Sequence, residues 1–309
     1  MFDVPIYYIT LYGNGMTNII NKLSEISSKY DAIFCDLCGC LHNGIEPFEE
    51  AVCALNNFSK SGGIVYLLTN SPRPSSDVYR QLDKIGVPRD IYQGITASGD
   101  ASREALASGK YGKKIFHIGP ARDEIFFEGI NEEVFPKNIQ IDLVPFNKAE
   151  GIVCTGLFDD EVETPSDYTE QLLEAKNRGL KMLCANPDIQ VDRGTHRIYC
   201  AGSIAKAFND IGGTAYNYGK PHSPIYQLAR IKLNDIAGKV IPDANILCVG
   251  DGIHTDINGA VKENLDSLFV TGGLAAEETN TFKQPEKAKL NKFLTASQLT
   301  PTYSIGHLR

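Results

Sequence analysis

The stretch that most constrains this chain is Asp31-Ala-Ile-Phe-Cys-Asp36-Leu-Cys38-Gly39-Cys-Leu-His-Asn-Gly44. Residues 32–35 are a short apolar run bearing Ile and Phe, the mark of a buried strand, and the run stops at an acid followed closely by glycine. A carboxylate is thereby set at the carboxyl end of a strand. In open α/β sheets that edge is where ligands bind, so Asp36 is a better candidate for chemistry than an acid on a helix face. Taken alone, an acid in this place more often caps a turn, and three later segments decide between the two readings.

Strand and helix patterns alternate along the rest of the chain. Thr17, followed by Ile19, Ile20, Leu23 and Ile26, predicts an N-cap and a helix leading into the Asp36 strand. Pro47 opens a second helix with Val52, Leu55 and Phe58 on one face, ended by Ser61-Gly62-Gly63. Residues 64–68 form a second buried strand that ends in Thr69-Asn70-Ser71, and a helix over 75–85 follows. Strand, helix, strand makes a right-handed parallel unit, so Thr69 emerges on the same sheet edge as Asp36.

The middle of the chain reads as strands at 114–118, 151–154 and 181–185, with helices at 121–128 and 165–178. That is a smaller α/β unit of its own, and its limits are placed at 98–202. The last third returns to the first pattern. A helix at 203–210 and a short strand at 215–218 precede Gly219-Lys220-Pro221, which leads into a helix from Ser223. The strand at 246–249 ends in Gly250-Asp251-Gly252-Ile253-His254-Thr255-Asp256, where a helix begins at Thr255; the strand at 267–270 ends in Thr271-Gly272-Gly273. The tail, 275–309, is polar and weakly patterned.

Charge excludes some partners. A formal net charge of -8 over 309 residues argues against nucleic acid or an anionic membrane surface, so an anionic substrate must be held by a local site. No apolar run reaches the roughly 18 residues of a membrane span, and the amino terminus lacks the basic start and apolar core of a signal peptide. The expected location is cytoplasmic. In a reducing cytosol the eight cysteines stay unpaired; Cys154, Cys184, Cys200 and Cys248 lie in or beside apolar segments, as small hydrophobes do. Cys35 and Cys38 have C-x-x-C spacing, but no second pair follows at zinc-site distance. The Cys35, Cys38 and Cys40 cluster could also serve as a redox switch.

Four strand ends now offer Asp36, Thr69 with Asn70, Lys220, and Asp251 with Asp256. Each has a plain explanation as a turn, cap or surface residue. Their joint order resembles the haloacid dehalogenase (HAD) superfamily, in its NagD-like class IIA branch, on Asp36-Leu-Cys-Gly39, Leu68-Thr69-Asn70, Gly219-Lys220-Pro221 and Gly250-Asp251 through Thr255-Asp256. Ala185-Asn186-Pro187-Asp188 also resembles a loop of that branch's cap. The resemblance implies a Rossmann-like three-layer core with a parallel sheet, residues 1–97 and 203–309, and an inserted α/β cap, residues 98–202. It is compatible with a homodimer formed through the cap.

The implied chemistry is hydrolysis of a small phosphorylated metabolite. Asp36 would attack phosphorus in line and form an aspartyl-phosphate, splitting one displacement into two. Mg²⁺ held by Asp36, the backbone carbonyl of Cys38 and Asp251, with Asp256 as support or further ligand, would separate the two negative groups. Thr69, Asn70 and Lys220 would hold the phosphoryl oxygens. Asn186, Asp188 and the Asp159-Asp160-Glu161 turn are candidates for facing the substrate, the turn reading more readily as an exposed loop; His254 reads as a solvated turn residue. In this superfamily's phosphatases the position of Cys38 is a second Asp that handles the leaving-group proton, help that contributes about 10²- to 10⁴-fold. The expectation is therefore a phosphatase restricted to good leaving groups, with a protein that binds Mg²⁺ and a phosphorylated ligand without turning it over as the alternative.

Overall fold

The computed structural model describes residues 17–130 and 140–309. The reading against a signal peptide falls on residues 1–16, outside the described residues.

Among the described residues the strands form three sheets. The largest has seven parallel strands in the order Asn18–Ile19, Tyr303–Ile305, Asp266–Val270, Ile246–Gly250, Ala32–Cys35, Ile64–Thr69, Gly94–Ala97. Its central strands are apolar throughout because both faces are covered. Ile33, Cys35, Val65 and Leu67 pack toward Leu55 and Phe58 of the helix Glu49–Lys60 and Val78 and Leu82 of Ser75–Ile85. Ala32, Phe34, Tyr66 and Leu68 pack the other way, onto Ile225, Tyr226, Ala229 and Leu233 of the helix Ser223–Ala237. The period-two alternation of side chains along each strand thus builds a three-layer core.

The second sheet has five parallel strands in the order Thr214–Asn217, Lys181–Cys184, Gly151–Cys154, Lys114–Ile118, Asp142–Leu143. A two-stranded antiparallel hairpin, Gln190–Arg193 with His196–Tyr199, completes the cap.

Two expectations are corrected. The core does not resume at residue 203. The helix Ala201–Asp210 packs Ile204, Ala205 and Phe208 onto the second sheet, and Thr214–Asn217 pairs with Lys181–Cys184, so both belong to the cap. The pattern of 215–218 marks a strand but carries no information on its partner. No helix follows Thr17: Asn18–Ile19 pairs with Tyr303–Ser304, Thr17 Oγ1 bonds Ser304 Oγ at 2.9 Å, and short 3-10 turns follow at Leu23–Glu25 and Ser27–Lys29. The helical spacing recorded burial of Ile20, Leu23 and Ile26 correctly, and pairing with the tail decided the backbone. The weakly patterned tail supplies the strand Tyr303–Ile305, which joins Asn18–Ile19 to the rest of the sheet, and a helix, Lys287–Ser297, whose Leu290 and Leu294 cover Phe269. No helix among the described residues is long and apolar enough to cross a membrane.

Candidate active site

The carboxyl ends of the central strands converge beneath the cap. Asp36 follows Ala32–Cys35 and is anchored by its own N–H donating to Val249 O at 2.8 Å. Lys220, which leaves the cap just beyond Thr214–Asn217, is buried, and its ammonium lies 2.7 Å from Asp36 Oδ1 and 2.6 Å from Asp256 Oδ1. Burial alone would lower the Lys220 pKa; Asp256, Asp36 and Asp188 overcome that and hold it well above the usual lysine value. The lysine is therefore a fixed cation beside the candidate nucleophile.

Asp251 is buried against backbone. Its Oδ2 accepts the Leu274 N–H at 2.9 Å. Gly39 and Gly273 leave room for it: a Cβ on either would stand about 2 Å from Asp251 Oδ2, and Gly39 adopts a φ of +78°. Burial, then the Asp36 and Asp256 charges, pushes the Asp251 carboxyl well above the usual carboxylate range. Asp36, Asp251 and Cys40 bring their ligand atoms within 4.8 Å of one another. Two carboxylates suit a hard divalent cation, whereas the Cys40 thiol, held protonated chiefly by burial, does not. The residues therefore fit Mg²⁺ between Asp36 and Asp251, where a divalent charge would offset the crowding of carboxylates around one ammonium.

Asp256 takes a different part. Its Oδ1 accepts Lys220, and its Oδ2 accepts the Gly252 N–H at 3.0 Å, so its oxygens are engaged in holding Lys220 and its own turn. Burial pushes Asp256 up while Lys220 pulls it down. These bonds favour the supporting role over that of a further metal ligand.

Thr69 ends Ile64–Thr69 and accepts the Ser71 N–H at 3.1 Å, which leaves its hydroxyl hydrogen available to a phosphoryl oxygen. The Asn70 side chain, expected to hold phosphoryl oxygens, is bonded to protein groups. Its Oδ1 accepts the Lys220 N–H at 2.7 Å, and its Nδ2 donates to Lys220 O at 3.1 Å and to Asp188 Oδ1 at 2.8 Å. Asn70 thus ties a core strand end, the Lys220 loop and the cap together. Burial pushes Asp188 up to about 6, against Lys220 and the Asn70 bond. Asn186 Oδ1 accepts the Asp188 N–H at 3.0 Å and shapes that turn.

A cavity of about 210 Å³ lies between core and cap. Its wall includes Asp36, Cys38, Thr69, Asn186, Asp188, Asp251 and Asp256, so the sequence-predicted site residues meet here, with Lys220 and Asn70 bonded behind them. His254 is exposed. Cys38 donates its thiol to Asp192 O of the cap hairpin at 3.1 Å. Burial first, then Asp251, Asp36, Asp188 and Asp192, raises the thiol pKa, so Cys38 stays protonated and is no base toward water.

Several wall residues were not singled out from sequence. Arg193 grips Asp160 with both terminal nitrogens, at 3.3 and 2.8 Å, and Arg122 pairs with the same carboxylate. Asp160 therefore faces the cavity, while Asp159 and Glu161 on either side of it are exposed, as expected of a surface loop. Arg73 donates to Asp123 Oδ1 at 3.1 Å on the same wall. His42, buried on the same wall, stands in the opening stretch but was given no role there; burial pushes it down to about 4, so it is neutral. All eight cysteines are free.

Residues 33–132 match the model of the haloacid dehalogenase-like hydrolases, and residues 217–296 match a second, HAD-hydrolase-like model. A haloacid dehalogenase-like family hydrolase from Brucella suis 1330 is 38% identical, with a TM-score of 0.82 over 94% of this chain and 100% of that one. The 5'-nucleotidase YutF of Bacillus subtilis (strain 168) is 26% identical over 265 residues, 84% of this chain and 94% of its own. A glycerol phosphate phosphatase from Mycobacterium tuberculosis, solved in complex with magnesium, shares the fold at 21% identity, with a TM-score of 0.63 over 91% of this chain and 76% of that one.

Proposed function

The chain belongs to the haloacid dehalogenase-like hydrolases, and on that premise we propose that it is a cytoplasmic Mg²⁺-dependent phosphatase of the class IIA branch, acting on a small phosphorylated metabolite through an aspartyl-phosphate on Asp36. The observation that carries this reading is the Asp36 carboxylate, fixed by Lys220 at 2.7 Å, on a cavity wall shared with Thr69 and Asp251.

Asp36 Oδ attacks phosphorus as the bond to the leaving oxygen breaks. Lys220 and the Thr69 hydroxyl hold the phosphoryl oxygens while charge shifts, a task for donors that do not reorganise. Asp36 and Asp251 would hold Mg²⁺, which supplies a positive charge against the repulsion between carboxylate and phosphate. Water then cleaves the aspartyl-phosphate. Asn70 positions Lys220 from both its N–H and its carbonyl. Asp188, bonded to Asn70, brings the cap to the core and closes the cavity over the ester. The names of the relatives make nucleoside monophosphates and glycerol phosphate the first esters to assay.

The engaged thiol of Cys38 favours a second reading, a protein that binds Mg²⁺ and a phosphorylated ligand with little turnover. Intact-mass spectrometry after mixing with Mg²⁺ and acetyl phosphate separates the two. A phosphate adduct on the wild type and none on Asp36→Asn is the expected result. Absence of both adduct and released phosphate, with retained ligand binding, refutes the phosphatase in favour of the binder.

A further inference from the structure

Resting on the phosphatase reading above, we propose that His42 is a further catalytic residue, whose Nε2–H donates a hydrogen bond to the leaving-group oxygen at the position where Cys38 cannot serve as acid.

The loop after Asp36 folds back on itself. The His42 N–H donates to Leu37 O at 3.1 Å, the Gly39 N–H donates to His42 O at 3.0 Å, and Cys38 and His42 are bridged as β-partners. The imidazole is thereby set beside position 38, on the cavity wall that also carries Asp36. Its tautomer is fixed by geometry. Nδ1 accepts the Gly44 N–H at 2.9 Å, so the ring proton sits on Nε2. That Nε2 is buried and has no hydrogen-bond partner among the described residues, in a side chain only 4% exposed. A buried donor left without an acceptor is destabilising, and such a group in a cavity wall marks where a ligand acceptor belongs.

No proton leaves His42 in this scheme. Asp36 Oδ forms the bond to phosphorus, the electron pair of the breaking P–O bond stays on the leaving oxygen, and the Nε2–H stabilises that growing negative charge. The alkoxide takes its proton from water. A neutral imidazole that polarises an oxygen without transferring its proton has precedent in triosephosphate isomerase.

The test compares wild type, His42→Leu and His42→Gln, with Mg²⁺, on glycerol phosphate and on p-nitrophenyl phosphate. A donor to the leaving oxygen matters most when the leaving group is poor. His42→Leu should lose about 10²- to 10³-fold in kcat/KM on the alkyl ester, the loss typical of one oxyanion donor, and no more than tenfold on the aryl ester. His42→Gln, which keeps an N–H at similar reach, should recover part of the alkyl loss. Equal losses on the two esters, the mark of a structural role, overturn the proposal, as does full alkyl activity in His42→Leu. The second arm is NMR of the wild-type His42 Nε2–H resonance with Mg²⁺ and inorganic phosphate. A downfield shift supports the donor role, and an unmoved resonance overturns it. If the wild type hydrolyses neither ester, the phosphatase reading has failed, and the NMR arm alone decides for His42.

Discussion

Replacing Lys220 by Met keeps the length of the side chain and removes its charge. In the wild type the ammonium is 3% exposed and touches two carboxylates, at 2.7 and 2.6 Å. Removing one partner of a buried ion pair costs about 3–5 kcal/mol, because the remaining charge stays buried and unpaired; here two carboxylates lose their partner together. At about 1.5 °C per kcal/mol for a chain of 309 residues, Tm should fall by about 5 °C or more at pH 7.5 in EDTA. The sign with pH follows from the same geometry. Asp256 is already pushed up by burial and held down by Lys220; without Lys220 its carboxyl rises further in the folded state, so the penalty is full above that raised value and disappears as acid protonates it. The deficit between variant and wild type should therefore shrink from pH 7.5 to pH 5, and Mg²⁺ should restore part of it at pH 7.5. Thermal unfolding by circular dichroism at the two pH values, with and without Mg²⁺, reads all of this. A Tm deficit under about 2 °C, or one equally large at pH 5, would refute the claim that Lys220 holds the carboxylates together.

Three further outcomes are expected. Cys38→Asp places a carboxyl where Asp251, Asp36, Asp188 and Asp192 raise the present thiol, so it should be held protonated and act as an acid; turnover of alkyl phosphates should rise by about tenfold or more, and a fall would show that the thiol bond to Asp192 O is required. Gly273→Ala brings a methyl group into Asp251 Oδ2; titration calorimetry should find Mg²⁺ affinity reduced at least about tenfold, about 1.4 kcal/mol, with the cap sheet intact by circular dichroism. Asp188, raised to about 6 in the folded state, is favoured below its ordinary value near 3.8 and penalised above 6. Asp188→Asn should therefore raise Tm at pH 8 by a few degrees and lose that advantage below pH 4.

What the sequence disclosed and what it withheld have one cause. Asp36, Thr69 and Asp251 were legible because each ends a short apolar run, and a parallel sheet carries such ends to one edge. Lys220 follows a strand of the cap sheet, so its place beside Asp36 was read from the resemblance of Gly219-Lys220-Pro221 and not from periodicity. Withheld were the relations that depend on distant partners: the strand Thr214–Asn217 was seen, but not its place in the cap sheet, and Asn70 was seen, but not its three bonds to Lys220 and Asp188. Asp160 reads as a solvated turn until Arg122 and Arg193 close on it from segments some 30 residues away. His42 was withheld for a subtler reason, since only the Gly44 N–H on Nδ1 reveals which ring nitrogen carries the proton.

Two bonds cross between cap and core, Asn70–Asp188 and Cys38–Asp192. The chemistry of phosphate is thus written locally, in strand ends, while closure is written in pairs of residues 118 and 154 positions apart. Each crossing bond joins the cap to a loop that carries the chemistry, Asn70 beside Thr69 and Cys38 beside Asp36. On the proposed mechanism, opening the cap would break contacts of the Asp36 loop, and an ester that held the cap closed would at the same time order the residues proposed to attack it.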